Sequence, residues 1–145
     1  MVANKVTVRF KKLHPDAKMP VHASDHAAAF DLHSLDEHTL MAGEVKAIET
    51  GIAMEIPEGK CVQFWDRSGM GFKGIHRFAG LIDSDYRGEF KVILCNHTKG
   101  PFAIQKGDRI VQGLMVDHYH VEFEEVMELS DTSRGEGGFG STGMQ

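Results

Sequence analysis

Three segments of the chain carry residue types suited to phosphate chemistry. The first is Asp66-Arg67-Ser68-Gly69-Met70-Gly71-Phe72-Lys73-Gly74, where a guanidinium, a hydroxyl and an ammonium sit among glycines whose bare backbone can approach an anion. The same composition also suits a plain glycine-rich hairpin turn. The second is Gly80-Leu81-Ile82-Asp83-Ser84-Asp85-Tyr86-Arg87-Gly88, with two carboxylates at i and i+2. One could take a proton as general base and the other pair with an arginine. In an extended chain the two share a face, in a tight turn they diverge, and Asp-Ser-Asp is itself good turn material. The third is the glycine-rich run from Thr132 to Gly143. Its bare N–H groups, the Arg134 guanidinium and the Ser141 and Thr142 hydroxyls can wrap a polyphosphate, while Phe139 offers a flat face to a base.

Other constellations fail on context. Gly135-x-Gly137-x-x-Gly140 has dinucleotide-fingerprint spacing, but too few residues follow Gly140 for the helix that the motif requires. Ser141 stands where a phosphate-binding loop needs its lysine. Of nine histidines, His118 and His120 would share one face of a strand, yet no third ligand has matching spacing. Neither Cys61 nor Cys95 lies in a CxxC pair, so the histidines read as surface residues and the cysteines as buried thiols.

The elements that must hold these segments are strands. Val6, Val8 and Phe10 alternate with polar residues, as do Ile52, Met54 and Ile56 before the turn Pro57-Glu58-Gly59-Lys60. Cys61 to Trp65, Phe90 to Cys95, Arg109 to Val116 and Val121 to Val126 are further strand candidates, and His26 to Phe30 allows one helical turn. Short strands, sixteen glycines and no long amphipathic pattern indicate an all-β sandwich or jelly roll in one domain. The expected division is a body over residues 1–131 and a mobile C-terminal arm over 132–145.

A formal charge of −5 argues against sequence-independent binding to nucleic acid, though not against a small anion held by a few arginines. No stretch approaches the length of a membrane span, and the N-terminus lacks a secretory pattern. The expected location is the cytoplasm, or the nucleus in a eukaryotic or viral setting, with no membrane partner.

Taken in order, the segments resemble the five motifs of the trimeric dUTPases. Ala28-Ala29-Phe30-Asp31-Leu32-His33-Ser34 is similar to the first, Arg67-Ser68-Gly69 to Lys73 to the second, and Gly80 to Gly88 to the third. Gly107-Asp108-Arg109-Ile110-Val111-Gln112 is similar to the fourth and Arg134 to Gly143 to the fifth. The resemblance implies a distorted jelly-roll (β-clip) subunit in a threefold homotrimer. It implies hydrolysis of dUTP to dUMP and pyrophosphate with Mg2+, which limits uracil incorporation into DNA and supplies dUMP for thymidylate synthesis.

By the same resemblance Asp83 is the base that activates water, and Tyr86 lies against the deoxyribose. The hairpin from Arg77 to Lys91, with Gly80, Leu81 and Ile82, reads uracil. Arg67, Ser68, Gly69 and Gln112 hold the phosphates, and Asp31 orients waters around the metal. Phe139 and Gly140 close over the base while Arg134, Ser141 and Thr142 grip the distal phosphates. The chain departs from the family pattern at Asp66, where proline is usual, at Trp65, at Arg77, and at Gly113, where an aliphatic residue is usual. The dCTP deaminases share the fold, but the position of their proton-shuttling glutamate corresponds here to Ile93, which cannot transfer a proton.

Overall fold

The computed structural model describes residues 5–138. Alternating apolar residues become short antiparallel strands. One sheet has the order β2 (Val21–His22), β3 (Phe30–His33), β12 (Arg109–Asp117), β7 (Lys60–Trp65), β9 (Leu81–Ile82). A second runs β5 (Val45–Ile48), β10 (Val92–Asn96), β8 (Ile75–Phe78). Two ribbons complete the body: β1 (Arg9–Lys12) with β6 (Ile52–Glu55), and β4 (His38–Leu40) with β11 (Phe102–Ile104). The one helix among the described residues is α1 (Ser68–Phe72). The all-β expectation therefore holds.

Every sheet and ribbon contributes to one core. Leu32, Val62, Phe64, Ile110 and Val111 come from the five-stranded sheet, and Ile48, Ile75, Val92 and Leu94 from the three-stranded one. Leu40, Ile104, Ile52 and Met54 come from the ribbons. Such apolar burial is worth about 1.5–3 kcal/mol per large side chain, so it sets which faces of the strands turn inward. Polar ties cross the core where backbone groups would otherwise lack partners. Asn96, fully buried, donates to the carbonyls of Leu40 (2.9 Å) and Gly100 (2.8 Å), and the Thr50 hydroxyl donates to the Phe90 carbonyl (2.7 Å). Cys61 and Cys95 are free, buried thiols.

The structure corrects four local expectations. β1 begins at Arg9, because its partner β6 pairs Arg9 with Glu55 and Lys12 with Ile52. Residues 26–29 form turn and bend, and Phe30 opens a strand in place of a helical turn. β12 ends at Asp117, so His118 and His120 lie beyond it. Val121 to Val126 form no strand: Val121, Phe123 and Val126 are exposed and nothing in the described chain pairs with them.

Gly113 has a packing reason. It lies opposite Phe30 on one side and Phe64 on the other, and a β-carbon there would come within 2.6 Å of the Phe30 ring. Gly113→Val should therefore destabilise by about 1–3 kcal/mol through overpacking, despite valine's better strand propensity. Thermal unfolding at fixed protein concentration checks this, and adding Phe30→Ala should return part of the loss. A more stable single variant would show that the ring yields freely.

Candidate active site

Strand register gathers the segments similar to the first, second and fourth motifs at one place. Asp31 on β3 lies opposite Gln112 on β12, which lies opposite Trp65 on β7. Asp66 and Arg67 follow directly as β7 ends. The Asp31 carboxylate is 5% exposed and bridges two guanidiniums: Arg67 Nε donates to Oδ1 (3.1 Å) and Arg109 to Oδ2 (3.2 Å). Arg67 also donates to the Arg109 carbonyl (3.2 Å). A β-bulge between Arg109 and Val111 shifts the register beside this cluster.

Arg67 ends the loop and opens α1. Its carbonyl accepts the N–H groups of Met70 and Gly71 (2.9 Å each), and that local bonding makes the glycine-rich segment a short helix and not a hairpin turn. Gln112 Nε2 donates to the Asp66 carbonyl (2.8 Å), fixing the peptide that leads into Arg67. The cleft beside this cluster is about 390 Å³, lined by Arg67, Gly69, Lys73, Asp108 and Arg109 with Met70, Phe102 and Ile104 at its apolar wall. Three cations against one lining carboxylate make it a place for an anion. The neighbouring His33 is held below the ordinary histidine value by burial first and then by Lys18, against the opposing pull of Asp31, with Arg109 and Arg67 adding to the depression. It is neutral at pH 7.

The Asp83 segment forms a separate, well-knit turn. Tyr86 N–H donates to the Asp83 carbonyl (3.2 Å), and Arg87 donates to the carbonyls of Ser84 (2.6 Å) and Tyr86 (3.1 Å). The Tyr86 hydroxyl donates to the Glu89 carbonyl (3.0 Å), and its ring packs against Phe90 at 6.2 Å between centroids. Gly88 lies so close to the Tyr86 ring that a β-carbon would collide with it. Gly80, at φ +100°, lies against Phe64, where a β-carbon would come within 2.8 Å, so no other residue fits the entry to the turn. Asp83, Asp85 and Tyr86 are exposed.

Of the residues singled out from sequence, Arg67 and Gly69 line the cleft, Asp31 is bonded to Arg67, Gln112 is bonded to the Asp66 carbonyl, and Ser68 begins α1. Gly80, Leu81, Ile82, Asp83 and Tyr86 are not among the residues that line this cleft. Arg77 lies on β8, and Lys91 is engaged by Glu49 (3.0 Å), which holds it above the ordinary lysine value. Arg134 is bonded locally, to the Gly137 carbonyl (2.8 Å). Phe139, Gly140, Ser141 and Thr142 lie outside the described residues. Sequence reasoning passed over Arg109 as a site residue, although it stood inside a quoted motif, and named Lys73 only as the ammonium of an anion-binding loop. Their charge beside glycines was the available signal.

No group of three or more histidine, cysteine or acidic side chains able to hold a metal occurs among the described residues. Each Asp31 oxygen already accepts one guanidinium hydrogen and retains a lone pair. That donor chemistry fits a hold through water on an ion carried by the ligand, in the manner of Mg2+, which keeps much of its own hydration.

Fold and site together define an all-β protein with a basic cleft built around one buried carboxylate and a glycine-rich loop. The dUTPase family model matches residues 15–143. A deoxyuridine 5'-triphosphate nucleotidohydrolase of Nautilia profundicola is 48% identical over 139 residues, covering 94% of this chain and 98% of the relative. Its counterpart in Clostridioides difficile is 43% identical over 140 residues, covering 94% and 98%. The structure of a Staphylococcus bacteriophage 80alpha dUTPase mutant with dUpNHpp superposes with a TM-score of 0.92 at 28% identity, covering 97% of this chain and 100% of that one. The chain belongs to the dUTPase family.

Proposed function

We propose that this protein hydrolyses dUTP at the α-phosphorus, water entering and pyrophosphate leaving, to give dUMP. The observation that carries the reading is the Asp31–Arg67–Arg109 cluster at a cationic cleft in a chain matched almost end to end by the family. In a cell this reaction limits uracil incorporation into DNA and supplies dUMP for thymidylate synthesis.

The roles are those that the family resemblance implies, and charge and position support several of them. Arg67, Ser68, Gly69 and Gln112 hold phosphate oxygens, because a triphosphate repels a nucleophile until its charge is met by fixed donors. Asp31 keeps the two guanidiniums in place and would orient waters of a Mg2+ ion. Bound to the triphosphate, that ion would neutralise phosphate charge. Asp83 takes the proton of the attacking water, which an ordinary carboxylate can do at pH 7. Tyr86, a ring fixed by its hydroxyl bond to Glu89, lies against the deoxyribose and leaves no room for a 2′-hydroxyl. Gly80, Leu81, Ile82 and the flanks Arg77 and Lys91 read the base. Arg134, Phe139, Gly140, Ser141 and Thr142 close over the ligand.

The active unit is a homotrimer of jelly-roll subunits, each bearing a C-terminal arm from residue 132. Two features support a site shared between chains: the Asp83 turn is exposed and does not line the cleft of its own chain, and Tyr119, Val121, Phe123, Met127 and Leu129 are exposed apolar residues alternating in part with glutamates. Large apolar side chains left this exposed in water call for a partner. Pyrophosphate release assayed with dUTP, dCTP, dTTP and UTP in Mg2+, alongside mass in solution, tests the reading. Release from dUTP alone by a particle of three chains supports it. Ammonia from dCTP, binding without turnover, or a fully active monomer would each overturn it.

A further inference from the structure

The departures at Trp65, Asp66 and Arg77 form one cluster. A carboxylate beside a loop that receives phosphates weakens anion binding unless it is turned away and its charge met. Asp66 is turned away. Its Oδ1 accepts the Arg77 backbone N–H (2.8 Å), and its Oδ2 is bonded to His76 Nδ1. Asp66 is not part of the cleft lining, whereas its neighbour Arg67 is.

The two acceptor bonds land on an unusual place. Among the described residues β8 has β10 on one side only, so its other edge presents backbone groups that need partners. Asp66 supplies one, and so stitches the end of β7 in one sheet to the free edge of β8 in the other. The His76 ring is held in turn by edge contacts to Phe78 (5.8 Å between centroids) and by His97 (6.3 Å). The Arg77 guanidinium lies 5.8 Å from the Trp65 ring and donates to the Ala79 carbonyl (3.0 Å), at the left-handed Ala79 and Gly80 that lead to the Asp83 turn. On its other side the Asp66 peptide is gripped by Gln112. The peptide immediately before Arg67 is therefore clamped from both sheets.

We propose that Asp66 is a positioning residue: through His76 and the Arg77 backbone it fixes the phosphate loop Arg67–Gly69 relative to the strand that leads into the Asp83 turn. This rests on the dUTP reading given above. Proline before Arg67 would restrict the loop through its own ring, and Asp66 restricts it by two bonds to another strand.

Asp66→Ala is expected to lower kcat for dUTP about tenfold or more while KM rises no more than about threefold, because loop placement matters most where charge develops during reaction. Assembly and Tm should hold within a few degrees. Asp66→Asn, which keeps an acceptor for the Arg77 N–H, should recover part of the turnover. His76→Phe keeps the ring contacts and removes the Nδ1 bond. Combined with Asp66→Ala it should add little, since both changes cut one link. Inorganic tripolyphosphate affinity, weakened about threefold in Asp66→Ala, reads the same loop without turnover. A wild-type chain silent on dUTP would defeat the functional reading alone, leaving that affinity to decide the role of Asp66. Wild-type-like kcat and tripolyphosphate affinity in Asp66→Ala would overturn the proposal. So would additive losses in the double variant, or a fall in kcat that tracks Tm with Asp66→Asn equally impaired.

Discussion

Asp83→Asn should lower kcat for dUTP by about 10²–10⁴-fold, the range that a positioned general base supplies. Asparagine has almost the shape of aspartate, so the turn in which the Asp83 carbonyl accepts the Tyr86 N–H survives. The side chain is exposed, and exposed substitutions of this kind move stability by about 0.5 kcal/mol or less. Binding of a non-hydrolysable dUTP analogue should therefore remain within about threefold of wild type, since the amide still fits but cannot take a proton from water. Asp85→Asn is the matched control. It removes the same charge two residues away in the same exposed segment, so electrostatic attraction changes alike but the base is intact. Steady-state kinetics with calorimetric binding separates these effects. Equal losses in the two variants would make the role one of field and not of proton transfer, and near-normal turnover in Asp83→Asn would remove the residue from the mechanism.

How much of this was legible depended on the range of the interactions involved. β6 could be read from alternation, β10 from a run apolar on both faces, and β7 and β12 as strand candidates beside turn signals, because each buries one face or both against the same core. Val121 to Val126 shows where that rule stops: alternation records that a face is meant to be covered, and here no part of the described chain covers it. α1 was illegible because glycines are poor helix formers, and the turn forms around the Arg67 carbonyl at a strand end. The residues of the cleft were legible as motifs, yet the bond of Arg109 to Asp31 depends on the register of β3 and β12. Asp66 looked like a misplaced charge because its partners stand ten and eleven positions later, on a strand of a different sheet. Trp65 and Arg77 posed the same problem, and one geometry answers all three.

Removing residues 134–145 should cost on the order of 10²-fold or more in kcat/KM, the scale of a lost positioning element, and leave the fold alone. The described part of this segment supports the second half of that statement. Arg134 donates to Gly137, Gly135 N–H to Thr132 and Gly137 N–H to Arg134, so these bonds are local and reach no further back than Thr132, and residues 131–136 are exposed. Among the described residues, no apolar side chain of the core comes from beyond Val111 except Met115, which packs at its margin. Tm and the mass in solution should thus match those of the full chain. The kinetic half rests on chemistry: an arginine, two hydroxyls, bare N–H groups and a phenyl ring suit a triphosphate nucleotide and little else nearby. Ordering a glycine-rich segment costs about 1–2 kcal/mol per residue in backbone entropy, which only a multiply charged ligand can offset. Inorganic pyrophosphate should then bind the truncated and full chains more nearly alike than a dUTP analogue does, because it offers no base for Phe139. Truncation that lowers Tm or breaks the assembly would make the segment structural, and truncation without kinetic effect would leave the site complete without it.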